Sequence, residues 1–272
     1  MSQKKILYIS QEIYPYVDET QISNISRNLP QAIQEKGMEI RAFMPKYGNI
    51  NERRNQLHEV IRLSGMNLII DDSDNSLIIK VASIQSARMQ VYFIDNEDYF
   101  QNRETLVDKK GEEYDDNDER SIFFVRGVME TIKKLRWVPD IVHCHGWFSA
   151  LTPLYLKKGY ADDPCFKDAK VIYSIYDESF KKPFNENVAD KLRFDGIGDD
   201  EIEKVKKRGV MDYKNLMKLA ADFSDGFILG SENIDPDVLK YVHDKNVQLL
   251  PYESDFEKNV DQIEEFYNKI SG

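Results

Sequence analysis

The chain has 272 residues, 41% hydrophobic and 31% charged, enough for one large domain or two small ones, and its 14 Phe and 15 Tyr require burial, which excludes disorder throughout. With 37 Lys and Arg against 48 Asp and Glu the net charge is −11, so general binding of nucleic acid or anionic lipid is disfavoured. Two cysteines, Cys144 and Cys165, make neither a disulfide framework nor a zinc cluster and read as reduced thiols, and no apolar run approaches the ~20 residues that cross a bilayer. The run Ile6 to Ser10 is too short for a signal-peptide core, so the expected location is the cytoplasm, with no membrane partner.

Ile6 to Ser10 reads as a buried strand. After a loop, Ile22, Ile25, Leu29 and Ile33 recur at helical spacing, Gly37 ends the pattern, and Glu39 to Met44 is a second strand closed by Pro45. This strand–helix–strand unit predicts a parallel sheet with a right-handed crossover. Four strand-like stretches follow, Leu57–Ser64, Asn67–Asp71, Ser76–Ile84 and Met89–Ile94, and predict an antiparallel insertion whose last strand rejoins the main sheet. Asp108 to Glu119 reads as a solvated acidic loop, and Asp116-x-x-Glu119 as a capping box for a helix to Arg136. Ile141–Cys144 is strand, Trp147–Lys157 an amphipathic helix, Val171–Ile175 strand, and Asn185–Gly209 loop followed by helix. Tyr213–Ala221, Asp237–Val242 and Phe256–Ile270 read as helices, with strands at Gly226–Leu229 and Val247–Leu250. The pattern predicts one doubly wound, Rossmann-like α/β domain over residues 1–272, with the β insertion at about 57–94. In such a sheet ligands bind outside the carboxyl ends of the strands, here after Ser10, Cys144 and Ile175.

At these places the chain resembles the glycogen and starch synthases, retaining glucosyltransferases of the GT-B fold. Gln11-Glu12-Ile13-Tyr14-Pro15 is similar to the family's opening S-E-x-x-P, and Phe43-Met44-Pro45-Lys46-Tyr47 to its L-P-x-Y segment. Val91–Asp95, Tyr99-Phe100 and Asp116–Phe124 follow its middle section. Pro139-Asp140-Ile141-Val142-His143-Cys144-His145-Gly146-Trp147, then Ala150-Leu151 and Pro153 to Leu156, resemble P-D-[IV]-V-H-x-H-D-W…A-L-x-P-x-Y-L. The likeness covers the family's amino-terminal half, so it implies a single GT-B half. A full synthase continues into a second Rossmann-like domain that supplies much of the sugar-nucleotide pocket, and this sequence stops before it.

The departures fall on the chemistry. The family's K-x-G-G-L donor loop aligns with Asp18-Glu19-Thr20-Gln21-Ile22, so a carboxylate stands for the Lys and both glycines carry side chains. A like-charge contact at ~4 Å costs about 1 kcal/mol in water and about 4 at an effective dielectric of 20, which predicts poor binding of a nucleotide diphosphate. The Asp of H-D-W is Gly146, and the His of the family's T-V-H-N segment, which meets the donor glucose, aligns with Tyr176. A tyrosine hydroxyl donates a hydrogen bond but does not replace an imidazole.

The resemblance makes His143 structural and His145 cleft-facing, and gives His145, Trp147, Tyr176 and Asp177 as substrate-binding residues beside the degenerate donor loop Asp18, Glu19, Thr20 and Gln21, with no catalytic residue assigned. His143 and His145 share a strand face but lack a third metal ligand, and Cys144 has no partner that would make it a nucleophile. Trp147 reads as a packing residue at a helix start or as a sugar platform, and Asp177-Glu178 as a loop cap or an acid/base pair. Lys204–Arg208, preceded by Asp199, Asp200, Glu201 and Glu203, reads as a salt-bridged helix. Neither metal nor cofactor is expected. The function expected is that of a synthase-related domain inactive alone. Its alternatives are a non-catalytic glucan-binding or regulatory protein, and one subunit of a split glucosyltransferase. The partners implied are glucan or sugar nucleotide, and a chain supplying the second domain or self-association over the exposed cleft, which the closing helix could also cover.

Overall fold

The computed structural model describes residues 3–272. Its strands are β1 (Lys5–Ser10), β2 (Glu39–Pro45), β3 (His58–Glu59), β4 (Met66–Ile70), β5 (Ser73–Ile84), β6 (Met89–Asp95), β7 (Ile141–His145), β8 (Lys170–Ile175), β9 (Gly226–Leu229) and β10 (Gln248–Leu250). Its α-helices are α1 (Gln21–Glu35), α2 (Asn117–Leu135), α3 (Thr152–Leu154), α4 (Val188–Lys191), α5 (Asp199–Lys206), α6 (Tyr213–Phe223), α7 (Pro236–Asp244) and α8 (Phe256–Ser271). The sheet runs β10-β9-β8-β7-β1-β2-β6-β5-β3, with β4 pairing β5. Every pairing from β10 to β6 is parallel, and β5 pairs antiparallel with β3, β4 and β6. The expected parallel order and antiparallel insertion are both present. The strand order reverses between β1 and β7, so the crevice above their carboxyl ends is where such a sheet takes ligands.

Three local expectations are corrected. The capping box at Asp116 is absent: Asp116 precedes α2 without capping it and pairs with Arg103 at 2.8 Å, while Glu119 accepts from Tyr99 and Lys191. These distant partners outcompete the local cap. The helix expected over Trp147–Lys157 breaks into a 3₁₀ turn at Trp147–Ser149, α3, and a wide turn at Tyr155–Gly159. Pro153 cannot donate from inside a helix, and Gly146 at φ 83° fixes the direction of entry. Of Leu57–Ser64 only His58–Glu59 pairs as strand, because Val60–Ser64 closes on itself through hydrogen bonds from Leu63 and Ser64 to the Val60 carbonyl. Among the described residues no helix is long and apolar enough to cross a membrane.

In a parallel sheet residues in register point to one face. Leu7, Val142 and Val171 form one row, and Ile9, Cys144, Tyr173 and Phe227 the next, all buried on the face covered by α2 and α6. The opposite face, under α1 and α8, carries the rows Tyr8–His143–Ile172 and Ser10–His145–Ser174–Ile228. Its polar groups are met by α8: Tyr267 Oη lies 3.1 Å from Tyr8 Oη and 2.6 Å from His143 Nδ1, and His143 Nε2 bonds Ser174 Oγ at 2.7 Å. Burial, reinforced by the neighbouring His145, holds the His143 pKa well below the ordinary imidazole value. The closing helix is therefore fastened through a buried hydrogen-bond network as well as through the packing of Phe266 and Ile270 over Gly226.

Candidate functional site

At the carboxyl end of β7 the chain leaves the sheet through Gly146, whose φ of 83° and ψ of 155° lie in a region open essentially to glycine. A Cβ there would overlap the Gln11 side chain. Gln11 leaves β1 and is clasped on all sides. Its N–H donates to the His145 carbonyl, its carbonyl accepts from Tyr47 Oη, its Oε1 accepts from Phe148 N–H, and its Nε2 donates to Glu178 Oε2 at 3.0 Å. The other oxygen of Glu178 accepts the Trp147 N–H at 2.8 Å. Burial lifts the Glu178 carboxyl to about 8 against the pull of these two donors, with the charge of Glu12 adding to the rise. The loops after β1, β7 and β8 are thus joined by one carboxyl–amide clamp.

His145 is fully buried. Its Nδ1 shares a 2.6 Å hydrogen bond with Tyr176 Oη, and its Nε2 has no partner. Burial depresses its pKa to about 3, so the ring is neutral. Tyr176 packs so closely on Gly230 that any side chain at 230 would overlap its ring. His145 and Tyr176 both line a cavity of about 260 Å³ between α1, α8 and the ends of β7–β9. Tyr176 also borders a second hollow of about 510 Å³ with Asp177, Glu178, Tyr213, Lys214 and Asp235.

Of the substrate residues expected from the sequence, His145 and Tyr176 touch each other, and exposed Asp177 lies on the second hollow with its N–H donated to Ser231 Oγ. Trp147 is only 4% exposed and packs on Phe180 and Phe184, with ring centroids 4.7 and 6.0 Å away, so its ring is a core element. Cys144 is buried and its thiol pushed up to about 12, which makes it unreactive. Among the described residues no three His, Cys, Asp or Glu side chains are placed to hold a metal ion.

Asp18, Glu19 and Thr20 are exposed on the loop into α1. Thr20 caps α1 in a reciprocal box with Ser23, so the first-turn N–H of Ser23 already has an acceptor in the protein. Thr20 also donates to Glu12, whose carboxyl is raised by burial against that hydrogen bond. Gln21 donates to the Gly230 carbonyl at 2.8 Å and accepts from Ser231 Oγ at 2.7 Å, tying α1 to the end of β9. The Gln11–Glu178 clamp escaped sequence reasoning. Its signal lay in two coupled departures, Gln11 in the S-E-x-x-P motif and Gly146 in H-D-W, which meet in space.

The starch synthase catalytic domain model matches residues 5–249. Glycogen synthase from Chlorobium limicola is 40% identical over 173 residues, covering 63% of this chain and 35% of that protein. Glycogen synthase from Pelodictyon phaeoclathratiforme is 37% identical over 208 residues, covering 73% and 42%. The chain therefore spans well under half the length of these relatives. The catalytic domain of starch synthase IV from Arabidopsis thaliana, solved bound to ADP and acarbose, shares the fold with a TM-score of 0.72 at 17% identity, over 92% of this chain and 51% of that one. Matched over nearly its whole length, the chain belongs to the starch synthase catalytic domain family.

Proposed function

We propose that this chain binds neutral α-glucan at the carboxyl ends of β1, β7 and β8 and does not by itself transfer glucose from a sugar nucleotide. The observation that carries this reading is the state of the α1 amino terminus. A free helix amino terminus with a nearby cation attracts a diphosphate. Here the end is capped by Thr20, and Asp18, Glu19 and Glu12 are the charges beside it. Retaining transfer needs a stabilised diphosphate leaving group, and electrostatic stabilisation is usually the largest catalytic contribution. ADP, held by the Arabidopsis neighbour, is expected to bind weakly here, whereas hydroxyl-rich ligands lose nothing to these carboxylates. Two free thiols fit a reducing cytoplasmic setting.

The test is incubation of the purified chain with labelled ADP-glucose or UDP-glucose and glycogen, with glycogen binding followed in parallel by affinity electrophoresis. Retardation by glycogen and label incorporation at background are expected, and background should persist when Asp18→Lys, Thr20→Gly, Gln21→Gly and Tyr176→His are combined. Robust elongation by the unmodified chain, abolished by His145→Ala, would overturn the reading. Transfer that emerges only on adding a second chain would instead assign the protein to a two-chain transferase.

A further inference from the structure

We propose that the free edge of the sheet at β3 is a docking surface for an acidic polypeptide segment, taken up as an added strand. The proposal does not rest on the glucan-binding reading: β2, β6 and β5 separate β3 from β1 and its crevice.

The edge is open by construction. β3 ends the sheet and pairs only with β5. Compact turns bound it on both sides. Before it, Leu57 N–H donates to the Glu52 carbonyl and Arg54 N–H to Asn51 Oδ1. After it, Leu63 and Ser64 N–H donate to the Val60 carbonyl, and Lys134 Nζ fastens this turn through the Leu63 and Ser64 carbonyls. Val60 N–H donates inward to the Ile79 carbonyl at 2.8 Å. Residues alternate along an antiparallel ladder, so Glu59 turns its N–H and C=O outward. Outward-facing backbone groups at a sheet edge are a template for another strand.

The side chains around that edge are of one kind. Arg53 and Arg54 lie on the turn before β3, Ile61 and Arg62 on the turn after it, and His58 between them, all exposed. Glu52 is spent on Lys46 and Lys80 at 2.8 and 2.6 Å. Among the described residues no carboxylate lies within ion-pair distance of Arg53, Arg54 or Arg62, although the chain as a whole carries a charge of −11. Charge on an edge strand guards against edge-to-edge aggregation, and that accounts for the arginines by themselves. It does not account for Ile61, which is 82% exposed, more than any other large hydrophobic among the described residues. Arginines around an apolar anchor are the composition of a binding surface, and each guanidinium fork matches a carboxylate.

The same features select the occupant. A second copy pairing through this edge would set arginine against arginine. A nucleic acid finds no use for the Glu59 backbone groups or for Ile61, and the Glu59 carboxylate and the net charge both repel phosphate. An extended peptide with acids at alternate positions meets every feature. Its backbone pairs with Glu59, its carboxylates reach the arginines on both flanks, and its apolar side chains lie on Ile61.

The experiment titrates the full chain with a heptapeptide of alternating aspartate and valine, followed by amide NMR and fluorescence anisotropy. The peptide should bind with shifts centred on residues 51–64 and on β5, and added salt should weaken it. Arg54→Glu combined with Arg62→Glu should weaken binding by about 10-fold or more, and Ile61→Ser by about 5-fold, all at exposed positions and with unchanged thermal melting. An aspartate–proline heptapeptide keeps the charge but lacks half the backbone donors, so it should bind more weakly than the aspartate–valine one, and a lysine–valine heptapeptide should not bind. Absence of binding, shifts away from residues 51–64 and β5, or affinity untouched by the arginine substitutions overturns the proposal. Equal binding of the aspartate–proline peptide overturns strand addition. A single-stranded oligonucleotide bound as tightly as the acidic peptide, or sedimentation showing a dimer that Arg54→Glu and Arg62→Glu dissociate, overturns the choice of partner.

Discussion

The two faces of the central sheet solve the same burial problem in different ways. Under α2 and α6 the rows are almost wholly apolar, Leu7–Val142–Val171 and Ile9–Cys144–Tyr173–Phe227. Any side chain of similar shape fits there, at a cost set by transfer and cavity volume. Under α1 and α8 the rows are Tyr8–His143 and Ser10–His145–Ser174, fully or almost fully buried; Tyr8 Oη, both His143 nitrogens, His145 Nδ1 and Ser174 Oγ have side-chain partners, while Ser10 Oγ and His145 Nε2 have none. Those partners come from far along the chain: Tyr267 lies 124 residues from His143, and Tyr176 lies 31 from His145. The polar face thus fixes where α8 and the β8 loop must sit, and the one ring nitrogen it leaves open, His145 Nε2, lies where the sheet meets the cavity.

The largest expected effect breaks this comparison at its anchor. Tyr267→Ala removes a fully buried aromatic and orphans His143 Nδ1 and Tyr8 Oη, and should cost about 3–5 kcal/mol. Tyr267→Phe keeps the ring and should cost about 1–3 kcal/mol, the penalty of unpartnered buried groups alone. On the apolar face Cys144→Ala should cost only about 1 kcal/mol. Urea denaturation of the three variants checks the order. A loss for Tyr267→Phe below about 0.5 kcal/mol would show that the polar network contributes nothing of its own.

A second prediction sharpens the comparison at the carboxyl ends. Gly146→Asp restores the family's residue but drives a Cβ into Gln11 from a backbone conformation suited to glycine, and should cost about 3 kcal/mol. Gln11→Ser in the same chain relieves the overlap but not the backbone strain, so a double-mutant cycle should return a favourable coupling of about 1–2 kcal/mol. Strict additivity would mean that the two departures from the family motifs are independent.

Much of this architecture was legible in the sequence, for a reason specific to parallel sheets. Strands buried on both faces read as continuous apolar runs, and Ile6–Ser10, Ile141–Cys144 and Val171–Ile175 stand out as such, as do amphipathic α1, α6 and α8. What failed was local logic overruled by distant partners. Asp116 had a good cap sequence but went to Arg103, and the helix after Gly146 was broken by Pro153 and by the packing of Trp147 on Phe180. The family motifs brought out His145 and Tyr176, but not that they hydrogen-bond each other. Asp177-Glu178 read as a loop cap or an acid/base pair, but the partners of Glu178 were not legible, since its place depends on a loop returning to the Trp147 N–H, a contact across 31 residues.

That clamp carries the smallest effect and the clearest pH signature. The folded state holds the Glu178 carboxyl at about 8, above its ordinary value of 4.5, because burial outweighs the donors Trp147 N–H and Gln11 Nε2. The fold therefore favours the protonated acid. Between these two values the native state binds the extra proton, so stability falls as pH rises. The contribution is fully present below about 4.5 and is lost as pH passes through about 8. Because Glu178 keeps some solvent access, the loss should be on the order of 1–2 kcal/mol rather than the full linkage value. Buried His143 and His145, held neutral by the fold, take up protons on unfolding below about pH 7 and so raise stability with pH there, which means that Glu178 is isolated by the difference between the parent chain and a Glu178→Gln variant across pH 6 to 9. Glu178→Gln has no proton to lose at this position, so the urea midpoint of the parent chain should fall relative to that of the variant as pH rises across that window. Parallel slopes for the two chains would mean that the clamp holds an ionised carboxylate, with Trp147 N–H and Gln11 Nε2 compensating its charge in full.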